Sequence, residues 1–274
     1  MQQIALSAAN ILLPIAYLLV AVDYAFLFFA AHPVAVRTAT PALRGTVTLH
    51  FLYLAALAVR HGQFPFATLS QALSVVALAT AIVYVFVEWR GRERSTGFWM
   101  VSLVFLFQLL SSLLFRPDPP DRAIFHNPFF GIHVSLALLG YAAFVVAAGY
   151  AFLFLQLYRD LKAGRFSTFF GKLPPLEVLE RMMMGALSAG FVALTGALVT
   201  GGLWAAQLYP NWLHDPKILT TFATWAIYGL ALLLRRLRRW QGRQTALASL
   251  AGLCVILFSL VAVNLFFTGF HGFL

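Results

Sequence analysis

The chain has 274 residues, of which 61% are hydrophobic and only 10% charged, a balance far from that of a water-soluble globular domain. Its 19 lysines and arginines outnumber 9 acids, for a formal net charge of +10. The cations lie in short stretches between apolar runs rather than on a groove-sized face, which excludes nucleic acid as a partner and points to the lipid bilayer.

A helix crossing the bilayer core needs roughly 17–25 predominantly apolar residues. In chain order, runs of that kind fall at about 4–30, 43–59, 67–88, 98–115, 131–157, 184–207, 217–235 and 246–270. The alternating pattern of a membrane barrel is absent, and helices satisfy their own backbone in lipid. The expected fold is therefore all-α: a polytopic membrane helical bundle of about eight transmembrane helices, forming one integral membrane domain over 1–274. The first run has no basic leader and is too long for a secretory signal, so it reads as a helix. Cys254 is the only cysteine, so the chain has no CxxC or CxxCH with which to exchange thiols or attach haem covalently.

The connections carry the topology. Arg37 and Arg44 fall in the first, Arg90, Arg92 and Arg94 in the third, Arg159 to Arg181 in the fifth, and Arg235 to Arg243 in the seventh. The even connections hold only Arg60, then Arg116 and Arg122, then Lys217. The positive-inside rule puts the odd connections in the cytoplasm and both termini on the outer face. The fourth connection is rich in proline (Pro117, Pro119, Pro120, Pro128), which predicts an extended or turning outer loop. In the fifth, Pro174-Pro175-Leu176-Glu177 is a helix-start signal, predicting a short interfacial helix before the sixth span.

Seven histidines stand out in so apolar a chain. His133 lies at the outer start of the fifth span and His271 at the outer end of the eighth. Two helix-borne imidazoles at one membrane face are suited to bind a haem iron from opposite sides. The residues alone also allow interfacial histidines bonded to headgroups or loop carbonyls. His50 lies within the second span, about two turns from its predicted start, where an ionisable group is a functional candidate by default or else a satisfied buried histidine. His214 sits beside Trp212 and Asp215 in the sixth connection, His61 and His126 are outer, and His32 reads as interfacial. Asp23 is the one acid read well inside a span, where a polar group of a neighbouring helix is its expected partner. Trp204 and Trp212 flank the short outer loop, as interface anchors or as planes against a porphyrin. Arg116, Arg122 and Lys217 are placed either as solvated loop charges or to pair with haem propionates.

Several motifs in one order carry a family likeness: Thr200-Gly201-Gly202-Leu203-Trp204-Ala205, Trp212-Leu213-His214-Asp215-Pro216-Lys217, Thr224-Trp225-Ala226-Ile227-Tyr228, and Val263-Asn264-Leu265-Phe266-Phe267-Thr268-Gly269-Phe270-His271-Gly272. The chain resembles the cytochrome c assembly protein family, the CcsA-, CcmC- and CcmF-like haem-handling membrane proteins, and within it the compact HemX-like branch. The likeness covers the second half well and reaches the first half through His50 and the stretch from Gln63 to Ser74. It implies haem b held at the outer face, with His133 and His271 in the places of two ligand histidines that flank a tryptophan-rich loop. His50 matches a membrane-embedded histidine associated with haem arriving from the cytoplasmic side. It further implies a multi-pass protein of a bacterial cytoplasmic membrane that does no bond chemistry of its own and passes haem to an assembly partner or apocytochrome. The chain departs from the family loop, W-G-x-Y-W-x-W-D-P-K, in carrying Leu208 and His214 where two tryptophans stand.

Two other functions are compatible with a haem-binding bundle of this kind: a HemX-like regulator of haem biosynthesis and an electron-transferring cytochrome b. The latter stacks two haems with histidine pairs about four turns apart on the same helices, and no span here carries such a pair. A small-solute transporter or haem-free scaffold would show matched Gly/Pro breaks around a midplane polar site; Pro14 interrupts the first span without a counterpart.

Overall fold

The structure is a computed structural model that describes residues 2–115, 120, 123–164, 171–208, 212–238 and 240–259. Among these residues there are eight α-helices and no strand: α1 Gln2–Ala30, α2 Pro33–His61, α3 Leu69–Gly91, α4 Gly97–Leu113, α5 Pro128–Lys162, α6 Leu176–Leu208, α7 Pro216–Arg238 and α8 Gly242–Phe258. Six are long and apolar enough to cross a membrane, and α4 and α8 are shorter apolar helices. The protein is thus an all-helical, multi-pass membrane bundle.

The chain divides into two compact units, Met1–Asn127 with Thr168–Pro174, and Pro128–Ser167 with Pro175–Leu274. In the first, α1 packs against α2 and α4, and α3 packs mainly against α4. In the second, α5 packs against α6 and α8, and α7 packs mainly against α8.

Several boundaries differ from the sequence reading, and capping explains them. Only Ala31 and His32 separate α1 from α2. His32 is the N-cap of α2, its Nδ1 accepting from the Val34 N–H at 3.4 Å with Pro33 at the first helical position. The helix therefore starts ten residues before the predicted apolar run, at Pro33 rather than position 43. It carries Arg37 and Arg44 on its own surface and runs through Pro41. His50 consequently sits near the middle of α2 rather than two turns from its start. The predicted interfacial helix forms the first turns of α6, which leads unbroken from Leu176 into the sixth span. The Pro175 carbonyl accepts from the N–H groups of Val178 and Leu179, as the start signal implied. In the proline-rich loop the described residues Ala123–His126 make one 3₁₀ turn, and Pro128 opens α5.

Lipid tails are as apolar as the side chains, so helix association here depends on close packing rather than on water release. The α5–α6 seam shows this. A Cβ on Gly140 would stand 3.2 Å from the Leu194 nitrogen and 3.3 Å from the Gly190 carbonyl oxygen, so these backbones approach as glycine permits. One turn after Gly140, Phe144 stacks on Tyr228 of α7 with ring centroids 3.8 Å apart. A Gly140→Val substitution is expected to destabilise the second unit by about 1–3 kcal/mol through overpacking, read as an earlier denaturation midpoint in detergent. An unchanged midpoint would show that the seam is not close-packed.

Candidate functional site

In the second unit, the first turns of α5 and the last turns of α6 build a small site around His133. The His133 ring lies half-buried against α6, and its Nδ1 is 2.8 Å from the Ala197 carbonyl oxygen. A carbonyl only accepts, so Nδ1 carries the hydrogen and Nε2 is left with its lone pair. Among the described residues no partner occupies Nε2. The ring lies so close to the backbone of α6 that a Cβ at Gly201 would overlap it. One turn before His133, Phe130 packs on Trp204, which follows Gly201 by three residues, with centroids 6.0 Å apart. Helical spacing thus puts His133 over Ala197 and Gly201, and Phe130 over Trp204, along one seam. The Thr200 hydroxyl donates to the Gly196 carbonyl at 2.8 Å and leans on that of Ala197 at 3.2 Å.

The remaining residues expected at this site are only partly placed. His214 is exposed at the end of a 3₁₀ turn, Trp212–His214, and Asp215 precedes α7, its carbonyl accepting from the Leu219 N–H at 3.0 Å. Trp212 and Lys217 are placed by their backbones, in that turn and in the first turn of α7, with their side chains outside the described set. His271, Arg116 and Arg122 lie outside the described residues altogether. The structure therefore brings together His133 and Trp204, and leaves the His133–His271 pair unexamined.

His50 belongs to the first unit and has a different environment. It is fully buried, with the Tyr17 hydroxyl 3.1 Å from Nδ1 and the Ser74 hydroxyl 2.9 Å from Nε2. Ser74 spends its own hydrogen on Gln108 Oε1 at 2.9 Å, so it accepts from His50, and Nδ1 in turn accepts from Tyr17. The chain continues from Gln108 Nε2 to Ser112 Oγ at 3.4 Å, and from Ser112 to the Asn10 carbonyl at 2.7 Å. All four helices of the unit contribute, and both ring nitrogens of His50 are in use. A ligand role for His50 requires surrendering one of these bonds.

Sequence reading missed this chain because serine, glutamine and tyrosine are unremarkable singly; the signal was that α1 repeats Asn10, Tyr17 and Tyr24 at seven-residue intervals on one face. It also missed Glu88. This carboxylate is 95% buried in the last turns of α3, and the hydroxyls of Tyr24 and Thr40 each donate to it at 2.5 Å. Arg94 stands 3.9 Å away and donates to the Val36 carbonyl at 3.1 Å, so Glu88 ties together α1, α2 and the α3–α4 turn. Asp23, farther from its helix end, is a second acid within the first unit. Its own expected partner is present on the adjacent helix: the Thr38 hydroxyl donates to it at 2.6 Å.

The chain matches the cytochrome c assembly protein family over residues 43–271, a stretch that includes His50, His133 and His271. It belongs to that family. Among its relatives in the family are the cytochrome c biogenesis proteins CcsA of Trieres chinensis, 24% identical over 257 residues with 82% of each chain covered, and of Prochlorococcus marinus strain NATL1A, 26% identical over 248 residues with 77% of each covered. CcsA of Synechococcus sp. strain CC9605 is 26% identical over 254 residues, covering 82% of this chain and 83% of its own. Similarity of this extent spans both compact units of this family member.

The environments of His50 and His133 make different demands on stability. His50→Ala removes the acceptor of a buried tyrosine and the donor to Ser74 and leaves a void, an expected loss of about 3 kcal/mol or more. Denaturation in detergent measures it, and a loss below ~1 kcal/mol would mean that the chain of hydrogen bonds does not hold the first unit. Removing the half-buried His133 ring costs one bond to a carbonyl that α6 itself supplies with a partner.

Proposed function

We propose that this protein acts in cytochrome c biogenesis by holding haem at the non-cytoplasmic end of its second unit for transfer to an assembly partner or apocytochrome. Haem is cargo in this reading, in the b form, and the membrane is the bacterial cytoplasmic one. The observation that carries the proposal is the state of His133: Nδ1 is engaged by the Ala197 carbonyl while Nε2 has no described partner. That is the arrangement of a metal-ligating imidazole, whose second nitrogen donates to a carbonyl that orients the ring and raises its basicity. Membership of the cytochrome c assembly protein family supplies the cargo class.

His271 is proposed as the second ligand, on its place in the family motif. Trp204, already packed on Phe130, supplies an aromatic face beside the ring. Trp212, His214 and Asp215 rim the same end of α6 and α7, and Arg116, Arg122 and Lys217 are the cations proposed for the propionates. His50, satisfied on both nitrogens, is assigned in the resting arrangement to holding the first unit together, and it meets haem only if Tyr17 or Ser74 lets go.

The test is direct. Protein purified in detergent from haem-producing cells is expected to show the split visible band of low-spin haem, with stoichiometry set by a pyridine assay. The double variant His133→Ala, His271→Ala is expected to lose that band and to retain over about 100-fold less haem, more than the roughly 10–100-fold that loss of a supporting residue gives. A spectrum unchanged in the double variant would remove both ligands from the proposal.

A further inference from the structure

We infer that Gly201 and the Ala197 carbonyl of α6 are the positioning elements of the haem site: Gly201 makes room for the His133 imidazole, and Ala197 fixes its proton on Nδ1, so that Nε2 is the nitrogen offered to iron. The inference rests on the haem reading above and adds to it the residues that decide which ring nitrogen binds.

Two independent features of α6 carry it. The first is steric: the space that a Cβ at position 201 would fill is occupied by ring atoms of His133, namely Cε1 and Nδ1. Glycine at this position is therefore demanded by the ring and not by the local backbone, since α6 runs through it as regular helix. The absence of the Cβ lets the imidazole lie against the helix at the depth of the Ala197 carbonyl, four residues earlier. The second is polar: the Ala197 oxygen lies 2.8 Å from Nδ1, in the range of a good N–H···O bond. An imidazole held this way is a single tautomer, and its unprotonated nitrogen is Nε2. Not every glycine of α6 is under this demand, because a Cβ at Gly185 would meet nothing within 4 Å. Gly185 is consequently the internal control for helix propensity and backbone freedom.

The experiment has two arms on the full chain. In the first, the haem-free protein is labelled with ¹⁵N-histidine, and the ring signals of His133, identified by their loss in His133→Ala, report the tautomer. The wild type is expected to show a protonated Nδ1 and an unprotonated Nε2. Gly201→Ala is expected to lose this pattern and to bind added haemin at least about 10-fold more weakly, the scale of losing a supporting contact to a metal ligand, while Gly185→Ala matches the wild type in both readouts. A Gly201→Ala protein with the wild-type tautomer and wild-type haemin affinity would overturn the inference.

The second arm does not depend on the folding of Gly201→Ala. The variant His133→Gly is titrated with haemin together with either imidazole or 1-methylimidazole. Both can ligate iron, but the methylated ring has no N–H for the Ala197 carbonyl. Imidazole is expected to restore the low-spin spectrum at a concentration at least about 10-fold lower; equal rescue by the two would overturn the role of Ala197. A wild-type haem spectrum in His133→Gly with no added ligand would instead overturn the haem reading itself, whatever the tautomer in the first arm.

Discussion

Hydrocarbon offers no hydrogen bonds, so a polar side chain carried into a membrane span has to be answered by another part of the protein. In the first unit this requirement is met by one continuous path from Tyr17 through His50, Ser74, Gln108 and Ser112 to Asn10, with a donor and an acceptor matched at each step. Every helix of the unit contributes a member, so the helices cannot slide or rotate past one another without orphaning a buried group. Apolar packing in lipid supplies no such register, because one leucine face suits another about as well as it suits acyl chains. Hydrogen bonds therefore specify the arrangement, and small-residue contacts such as Gly140 against Gly190 allow the backbones to close on it.

The same rule separates the two central histidines. At His50 the protein answers both ring nitrogens with hydroxyls, and the imidazole serves as a structural cross-brace. At His133 it answers one, with a helix carbonyl, and among the described residues the other ring nitrogen has no partner, the ring lying half-buried rather than enclosed. A metal ligand needs the second condition: an oriented ring, a defined tautomer and an unspent lone pair. Burial by itself, which the sequence reading weighed most heavily for His50, is compatible with either role.

The two units also share a plan. In each, the first helix packs on the second and the fourth, and the third packs mainly on the fourth. In each, a carboxylate near a helix end meets an arginine. Glu88 has Arg94 in the first unit, and in the second Glu180 pairs with Arg235, which also donates to the Trp240 carbonyl at 2.6 Å. The fourth helix of each begins at a glycine with no room for a Cβ, Gly97 against Tyr24 and Gly242 against Phe154 and Glu180. Within each unit these clasps tie helix ends together.

Hydropathy was sufficient to make the helices legible, because spanning a bilayer imposes a length and a composition on each segment that no other constraint imitates. Ordered motifs around Trp204, His214 and His133 carried the family, since both hydropathy and motif order are properties of residues in succession. Where α2 begins was less legible: His32 as a cap extends that helix beyond its apolar run. Which histidine is satisfied and which keeps an open nitrogen was not legible at all. That depends on whether a hydroxyl or a carbonyl from another helix arrives within hydrogen-bonding distance, and helix packing, not the local sequence, brings Ser74 to His50 and Ala197 to His133.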